Sequence, residues 1–327
     1  MTKLKELLNV IQSRHVYIQT HNFPDPDAIS SAFGLSVLLK RYGIDSSICY
    51  KGEIERYSTN GFVQKLGIEL TNMDSLEHIN DEEEIILVDA QKGNSNIGEV
   101  AGHRIICIDH HPTFTDSDYC FADIRPDMGA CATIIATYFF DNFIPMDKRV
   151  ATALFYGIKT DTMGLSRGVN ITDIDAYRKL YGMIDYDIIR SLEHCSIKFD
   201  DLKAYSNAIN SIKVFGRVGF ANTGKNCPEA LIANISDFML DLVEVDFSVV
   251  YSIKEDGIKL SVRSSCELDS GKITNTALEG IGCGGGHAFM AGGFVCFDSR
   301  FSEEELIEDI EGRFLKMINK TSGGIIY

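Results

Sequence analysis

The run Arg104-Ile105-Ile106-Cys107-Ile108-Asp109-His110-His111 carries apolar side chains straight into one carboxylate and two imidazoles. The same design recurs twice. Val16-Tyr17-Ile18-Gln19-Thr20 leads into His21, Asp25 and Asp27, and Ile85-Ile86-Leu87-Val88 leads into Asp89. A short continuous apolar run suits a strand buried on both faces of a parallel sheet. Sheets of that kind bind ligands just beyond the carboxyl ends of their strands. Three such strands would bring these acids and imidazoles to one edge of one sheet. Oxygen and nitrogen donors with no thiolate among them suit a hard or borderline divalent ion such as Mn²⁺.

Each motif alone has a plainer explanation. The stretch from His21 to Asp27 could be a turn, with Asp27 as N-cap of a helix from Ala28 onward. Asp89 and Asp161, the latter flanked by Thr160 and Thr162, could likewise be caps. Acids and histidines gathered at three predicted strand ends favour a metal site instead. Gly284-Gly285-Gly286-His287 reads by itself as a tight turn. Beside a metal site it gains weight, because glycine admits close approach to an anion and consecutive amides can form a phosphate nest. Arg263, at the end of a predicted strand, is a candidate phosphate clamp.

The elements that must position these groups alternate. Helices are expected over 2–13, 28–41, 129–142, 147–160, 171–182 and 186–212. Strands are expected over 15–20, 46–50, 85–89, 104–108 and 119–124, while 52–83 shows too weak a period to place. Beyond 213, strands are expected over 214–222, 230–234, 247–253, 258–263 and 293–297, and helices over 236–242, 272–279 and 302–319. The fold class is α/β: a doubly wound, mainly parallel sheet, followed by a smaller α+β domain across a cleft. Expected boundaries are 1–188 for the first domain, 189–212 for a helical connector and 213–327 for the second domain.

A chain of 327 residues has room for two cores. Its net charge of −16 disfavours a long nucleic-acid duplex as partner, so any phosphate must be held by a local device. The nine cysteines include no CxxC pair, and an odd count cannot pair completely. Cys107, Cys120, Cys131 and Cys296 read as small buried hydrophobes, which suits the reduced thiols of a cytoplasmic protein. The N-terminal stretch reads as an amphipathic helix rather than a signal segment, and no apolar run approaches the roughly 20 residues of a membrane span.

Asp109-His110-His111 resembles the signature of the DHH phosphoesterase superfamily. His21, Asp25, Asp27, Asp89 and Thr160-Asp161-Thr162 resemble its other metal motifs, in the same chain order. Gly284–His287, with Arg263-Ser264 upstream, looks like a DHHA1 substrate domain. The length is similar to the stand-alone nanoRNase, pAp phosphatase and dinucleotide phosphodiesterase type. The resemblance implies two Mn²⁺ ions, with Mg²⁺ or Co²⁺ as substitutes. One would be held by His21, Asp25 and Asp89, the other by Asp27, Asp89, His110 and Asp161. It implies that Asp109 orients a ligand, that His111 faces the scissile phosphate, and that Arg263, Ser264, Gly284, Gly285, Gly286 and His287 hold the rest of the substrate. The substrates it implies are short: dinucleotides, short RNA, pAp or cyclic dinucleotides. Related proteins are often dimers, so a homodimer is expected. Pro26, Ser30, Ala90 and Met163 depart from residues common in the family, although no metal ligand is lost. The alternatives are a nucleotide-binding regulator without turnover and a phosphatase of pyrophosphate or polyphosphate.

Overall fold

The apolar runs ahead of the acids and histidines are strands of one parallel sheet. The computed structural model describes residues 2–54, 57–75, 79–94, 96–113, 118–193, 197–265, 267–286, 288–298 and 301–321. The chain divides into two units, Met1–Ser196 and Ile197–Tyr327.

In the first unit the strands are β1 (His15–Gln19), β2 (Asp45–Tyr50), β3 (Thr71–Asn72), β4 (Glu84–Val88), β5 (His103–Asp109) and β6 (Phe121–Ile124). They lie in the order β3-β2-β1-β4-β5-β6, and every pairing is parallel. The order runs outward from the β1–β4 pair in both directions. That pair is therefore the switch point, where diverging connections leave a crevice at the carboxyl ends. Helices α1 (Lys3–Val10), α2 (Pro26–Arg41), α3 (Tyr57–Leu66), α4 (Cys131–Asp141), α5 (Lys148–Asp161), α6 (Ile171–Tyr181) and α7 (Tyr186–Glu193) complete the unit. Alternation along the pleat divides the strand side chains between faces. Ile18, Ile86, Val88, Ile106 and Ile108 join the core made with α2, α4 and α5, while Ile85 and Leu87 pack with Ala90 and Ile97.

Close helix packing matters at one point. A Cβ added to Gly157 of α5 would collide with Ser30 Oγ of α2 and lie 3.2 Å from Asp27 Oδ1. Glycine there lets α5 press onto α2, which fixes where α5 delivers its last residue, Asp161.

The stretch 52–83 contains α3, β3 and a 3₁₀ turn at Met73–Ser75. Only Thr59, Phe62 and Leu66 of α3 are buried, which explains its weak period. The expected helix over 186–212 is not continuous. After α7 come a 3₁₀ turn at Phe199–Asp201 and then α8 (Leu202–Ser211). Ile189 and Leu192 of α7 belong to the first unit's core, whereas Ala204 and Ala208 of α8 pack in the second unit.

The second unit holds β7 (Lys213–Phe215), β8 (Val218–Lys225), α9 (Glu229–Met239), β9 (Phe247–Ile253), β10 (Gly257–Ser264), α10 (Ser270–Leu278), β11 (Gly282–Gly286), β12 (Met290–Cys296) and α11 (Glu303–Thr321). The sheet order is β11-β12-β10-β9-β8-β7, with β8 and β9 parallel and the other pairs antiparallel. Helices cover both faces, so β9 is buried along its whole length.

Three expectations are corrected here. The strand over 230–234 and the helix after it are the single helix α9. Its buried residues Leu231, Ile232, Ile235, Ser236 and Met239 follow helical spacing, which a short apolar run does not reveal. Gly284-Gly285-Gly286 is not a turn but part of the edge strand β11, paired with Gly293, Gly292 and Ala291 of β12. Cys107 and Cys131 are buried, but Cys120 and Cys296 are exposed. Among the described residues, no helix is long and apolar enough to cross a membrane.

Candidate metal centre

The crevice at the switch point collects the acids and imidazoles. The segment after β1 supplies His21, β4 runs into Asp89, and β5 ends in Asp109 and is followed by His110 and His111. The start of α2 adds Asp25 and Asp27, and the end of α5 adds Asp161. Three sets of potential ligand atoms converge: His21, Asp25 and Asp89; Asp27, His110 and Asp161; and Asp89, Asp109, His110 and His111. Asp89 belongs to the first and the last. Its Oδ2 lies 3.7 Å from His21 Nε2 and its Oδ1 lies 3.4 Å from His110 Nε2. His110 Nε2 is also 3.3 Å from Asp161 Oδ2 and 3.9 Å from Asp27 Oδ2.

Asp89 is the strained member. Its φ is +57°, an uncommon conformation for a residue with a side chain, and one that clusters at functional sites. The residue is 3% exposed, and among the described residues Oδ1 accepts no hydrogen bond, although His110 Nε2 at 3.4 Å and His111 Nδ1 at 3.6 Å lie beside it. A buried carboxylate oxygen without a hydrogen bond is costly. A cation between the ligand sets satisfies that oxygen, so the residues present fit a metal.

Backbone and side-chain hydrogen bonds aim the donors. Asp25, not Asp27, is the N-cap of α2: its Oδ1 accepts from the Asp27 and Ala28 amides at 2.9 and 3.0 Å. Pro26 at the first helical position has no N–H to cap, so the capping acid stands before it. Asp27 turns inward instead. Its two oxygens accept from the Cys131 and Ala132 amides at 2.7 and 2.8 Å, where α4 begins without a side-chain cap of its own. His21 Nδ1 lies 2.8 Å from the Asn22 carbonyl and His110 Nδ1 3.2 Å from that of Met128, which turns each Nε2 toward the carboxylates. Asp161 caps nothing; it is the last residue of α5, and Arg167 donates to its carbonyl at 2.7 Å.

Asp109 orients its neighbours. Oδ1 accepts from the His110 amide at 2.7 Å and lies 2.9 Å from His111 Nδ1. Oδ2 accepts from Gln91 Nε2 at 2.7 Å, and that amide also donates to the His111 carbonyl at 3.0 Å. Sequence reading passed over Gln91. Its one signal is position: a polar side chain two residues past Asp89, at a strand end pointing into the crevice.

The charges press on one another. Burial raises the Asp27 carboxyl well above its usual range, and Asp89 and Asp161 raise it further. Burial and Asp25 raise Asp161 to about 6. Burial works against a charged His21, but Asp25 and Asp89 outweigh it and bring the ring to about 10. Burial likewise opposes the charge on His110, yet Asp89, Asp27 and Asp161 raise it to about 11. Asp109 goes the other way: burial opposes its charge, but bonds from His111 and Gln91 hold it low. The raised carboxyls of Asp27 and Asp161 and the raised imidazoles of His21 and His110 mark a site short of positive charge, which a divalent ion would supply.

The remaining sequence-derived residues lie in the second unit. Arg263 is buried in β10, where it donates through Nε to Asp237 Oδ1 at 2.6 Å and through one terminal nitrogen to Ser261 Oγ at 3.0 Å. Ser264 is buried at the end of the same strand. Gly284, Gly285 and Gly286 lie in β11. His287 lies outside the described residues.

Comparison with known proteins agrees with this layout. Residues 15–158 match the DHH family N-terminal domain, and residues 213–314 match the DHHA1 domain. An uncharacterised protein of Methanocaldococcus jannaschii is 31% identical over 310 residues, covering 92% of this chain and 63% of the relative. The cyclic-di-AMP phosphodiesterase GdpP of Bacillus subtilis is 25% identical over 320 residues, covering 87% of this chain and 45% of the relative. The chain thus spans less than two thirds of the length of either protein. An exopolyphosphatase-related protein from Bacteroides fragilis shares the fold, with a TM-score of 0.75, 18% identity, and coverage of 96% of this chain and 94% of that one.

Proposed function

The chain belongs to the DHH family, and on that premise we propose that it is a manganese-dependent phosphoesterase of short nucleotides. Its substrates would be linear or cyclic dinucleotides, short oligonucleotides or pAp. One observation carries the reading: Asp89 stands between His21 and His110, joining the carboxylate–imidazole sets, and among the described residues its buried Oδ1 accepts no hydrogen bond. Two divalent ions, one held by His21, Asp25 and Asp89 and the other by Asp27, Asp89, His110 and Asp161, would supply hydroxide at neutral pH and offset phosphoryl charge. Donors without sulfur favour Mn²⁺, with Mg²⁺ or Co²⁺ as substitutes.

The chain's own groups do the orienting. Asp109 holds His111 through Nδ1, which leaves Nε2 as the ring atom to donate to a phosphoryl oxygen. Gln91 fixes Asp109 from its other oxygen. Asp27 is anchored by two amides at the head of α4, so its carboxylate is already placed before a ligand arrives. Arg263, Ser264, Gly284, Gly285, Gly286 and His287 are proposed to hold a remote part of the substrate. The net charge of −16 disfavours long nucleic acid. The cyclic-di-AMP phosphodiesterase activity of the Bacillus subtilis relative supports a nucleotide substrate.

The test is a panel of pAp, a linear dinucleotide, a longer oligonucleotide, a cyclic dinucleotide and pyrophosphate, each with Mn²⁺, with products followed by chromatography. Hydrolysis of one of the first four is expected. Metal binding without turnover on any member would favour the regulator. Turnover of pyrophosphate alone would favour the base-free phosphatase.

A further inference from the structure

Phe23 stands between His21 and Asp25, two members of one ligand set. Pro24 beside it is buried and His21, Asn22 and Asp25 are half-buried, yet Phe23 is 59% exposed. Single exposed aromatics are common and carry no meaning by themselves. The backbone sets this one apart. Phe23 has φ +55°, in the left-handed region that a bulky residue seldom occupies. Pro24 follows, and proline favours extended backbone in the residue before it. The conformation is imposed from outside: the Phe23 amide donates to the Lys51 carbonyl at 2.8 Å, and the Asn22 amide to the Asn96 carbonyl at 2.7 Å.

The ring also has a fitted seat. A Cβ on Gly52 would come within 2.6 Å of Phe23 Cε1, 2.7 Å of Cδ1 and 2.9 Å of Cζ. One side of the ring therefore lies against bare glycine backbone. Gly52 has φ +86°, so any side chain there would be strained as well as in collision. An uncommon backbone conformation at Phe23 and a position that only glycine fits at Gly52 thus hold an aromatic ring against a support and leave most of the residue facing water, beside the candidate metal centre.

The geometry points to Phe23 as a stacking platform for a nucleobase of the substrate bound at the metal centre. The inference rests on the phosphoesterase reading above and narrows it to base-bearing substrates. The acids and imidazoles of the centre address phosphate, and nothing in them reads a base. An aromatic face accepts any base and is sequence-tolerant. Stacking on one base is expected to favour a base-bearing substrate over its base-free equivalent by about 5- to 150-fold.

The chain contains no tryptophan, which gives a direct probe. Phe23→Trp places a single indole at the proposed platform. In the full-length protein with Mn²⁺, AMP should quench its emission saturably, while ribose 5-phosphate at equal concentration should not. The second measurement compares kcat/KM for a dinucleotide with that for the same dinucleotide lacking its bases. Phe23→Asn removes the ring and suits the left-handed backbone, so it should fold. The wild-type preference for the base-bearing substrate should collapse toward unity in Phe23→Asn and persist in Phe23→Tyr. Equal effects of AMP and ribose 5-phosphate on the indole, or a full preference kept by Phe23→Asn, would overturn the inference and leave the phosphoesterase reading standing. Absence of hydrolysis by the wild-type protein on both substrates would overturn that reading itself.

Discussion

Asp89→Asn is the sharpest test of the shared carboxylate. Asparagine keeps the volume of the side chain and tolerates the left-handed backbone that Asp89 adopts at φ +57°. It removes the charge that lies between His21 and His110, the one proposed to serve both metal sites. In the wild-type protein, Mn²⁺ at one hundred times its Kd adds about 2.7 kcal/mol per site, or about 5.4 kcal/mol for two. For a unit of the size of Met1–Ser196, each kcal/mol raises Tm by about 2–4 °C. The expected rise is therefore about 10–20 °C. In the variant it should fall below half of that. Without metal, two effects oppose each other. Asp27 loses a like-charged neighbour, while His21 and His110 lose an acid that holds their protons. The metal-free Tm should accordingly shift by no more than the equivalent of about 1 kcal/mol. Loss of about 4 kcal/mol of charge stabilisation in the transition state predicts a drop in turnover of about a thousandfold. Thermal shift across an Mn²⁺ titration, paired with hydrolysis of the panel's best substrate, reads both numbers. A variant that keeps the full metal-induced rise in Tm and turns over within tenfold of wild type would refute the shared-ligand arrangement.

Metal binding should be coupled to proton release. His21, at about 10, and His110, at about 11, carry protons at pH 7 without metal, and each must lose one to ligate through Nε2. Calorimetry in buffers of different ionisation heat should report about two protons released per protein, and the affinity for Mn²⁺ should rise with pH; a pH-independent affinity between 6 and 8 would contradict the charge balance. These histidines are raised in the fold, so their stabilisation of the metal-free protein is complete below the unfolded value of about 6.5 and is lost as pH climbs through 10 to 11. Asp161 is raised too, to about 6, so it adds a loss of metal-free stability between about pH 4 and 6, visible in Tm against pH. Gln91→Met should lower kcat by about 10- to 100-fold with KM and Mn²⁺ affinity nearly unchanged, because it frees Asp109 and the His111 carbonyl without touching a ligand; a change confined to KM would mean that Gln91 touches substrate. Gly157→Ala should cost about 1–3 kcal/mol and weaken Mn²⁺ binding, since the new methyl pushes α5 off Ser30 and carries Asp161 with it; chemical denaturation and a metal titration check the pair. Arg263→Ala should leave metal binding intact and cut kcat/KM on a dinucleotide by about 10- to 1000-fold, with far less effect on bis-p-nitrophenyl phosphate, and equal losses would assign Arg263 to the fold.

Phe23 and Gln91 were invisible to sequence reading for the same reason. Each owes its meaning to atoms distant in the chain: Gly52 and Lys51 for the ring, Asp109 for the amide. The sequence offers Arg263 as a candidate phosphate clamp because its strand is legible locally, while its partner Asp237 comes from α9, a helix whose first half reads as strand. The glycines of β11 have no side-chain pattern to announce a strand, and their pairing with the glycines of β12 is a tertiary fact.

The candidate metal ligands themselves are legible in the chain. An apolar run that stops at an acid or a histidine specifies a buried strand and the chemistry at its end, and both signals are local. Strand order is not local. Only the parallel order β3-β2-β1-β4-β5-β6 sets the ends of β1, β4 and β5 side by side. Only the packing of α5 on α2 brings Asp161 to them. Residue types therefore determined which atoms could bind a metal, and the non-local pairing of strands and helices decided that they meet, with Asp89 strained and buried at the centre.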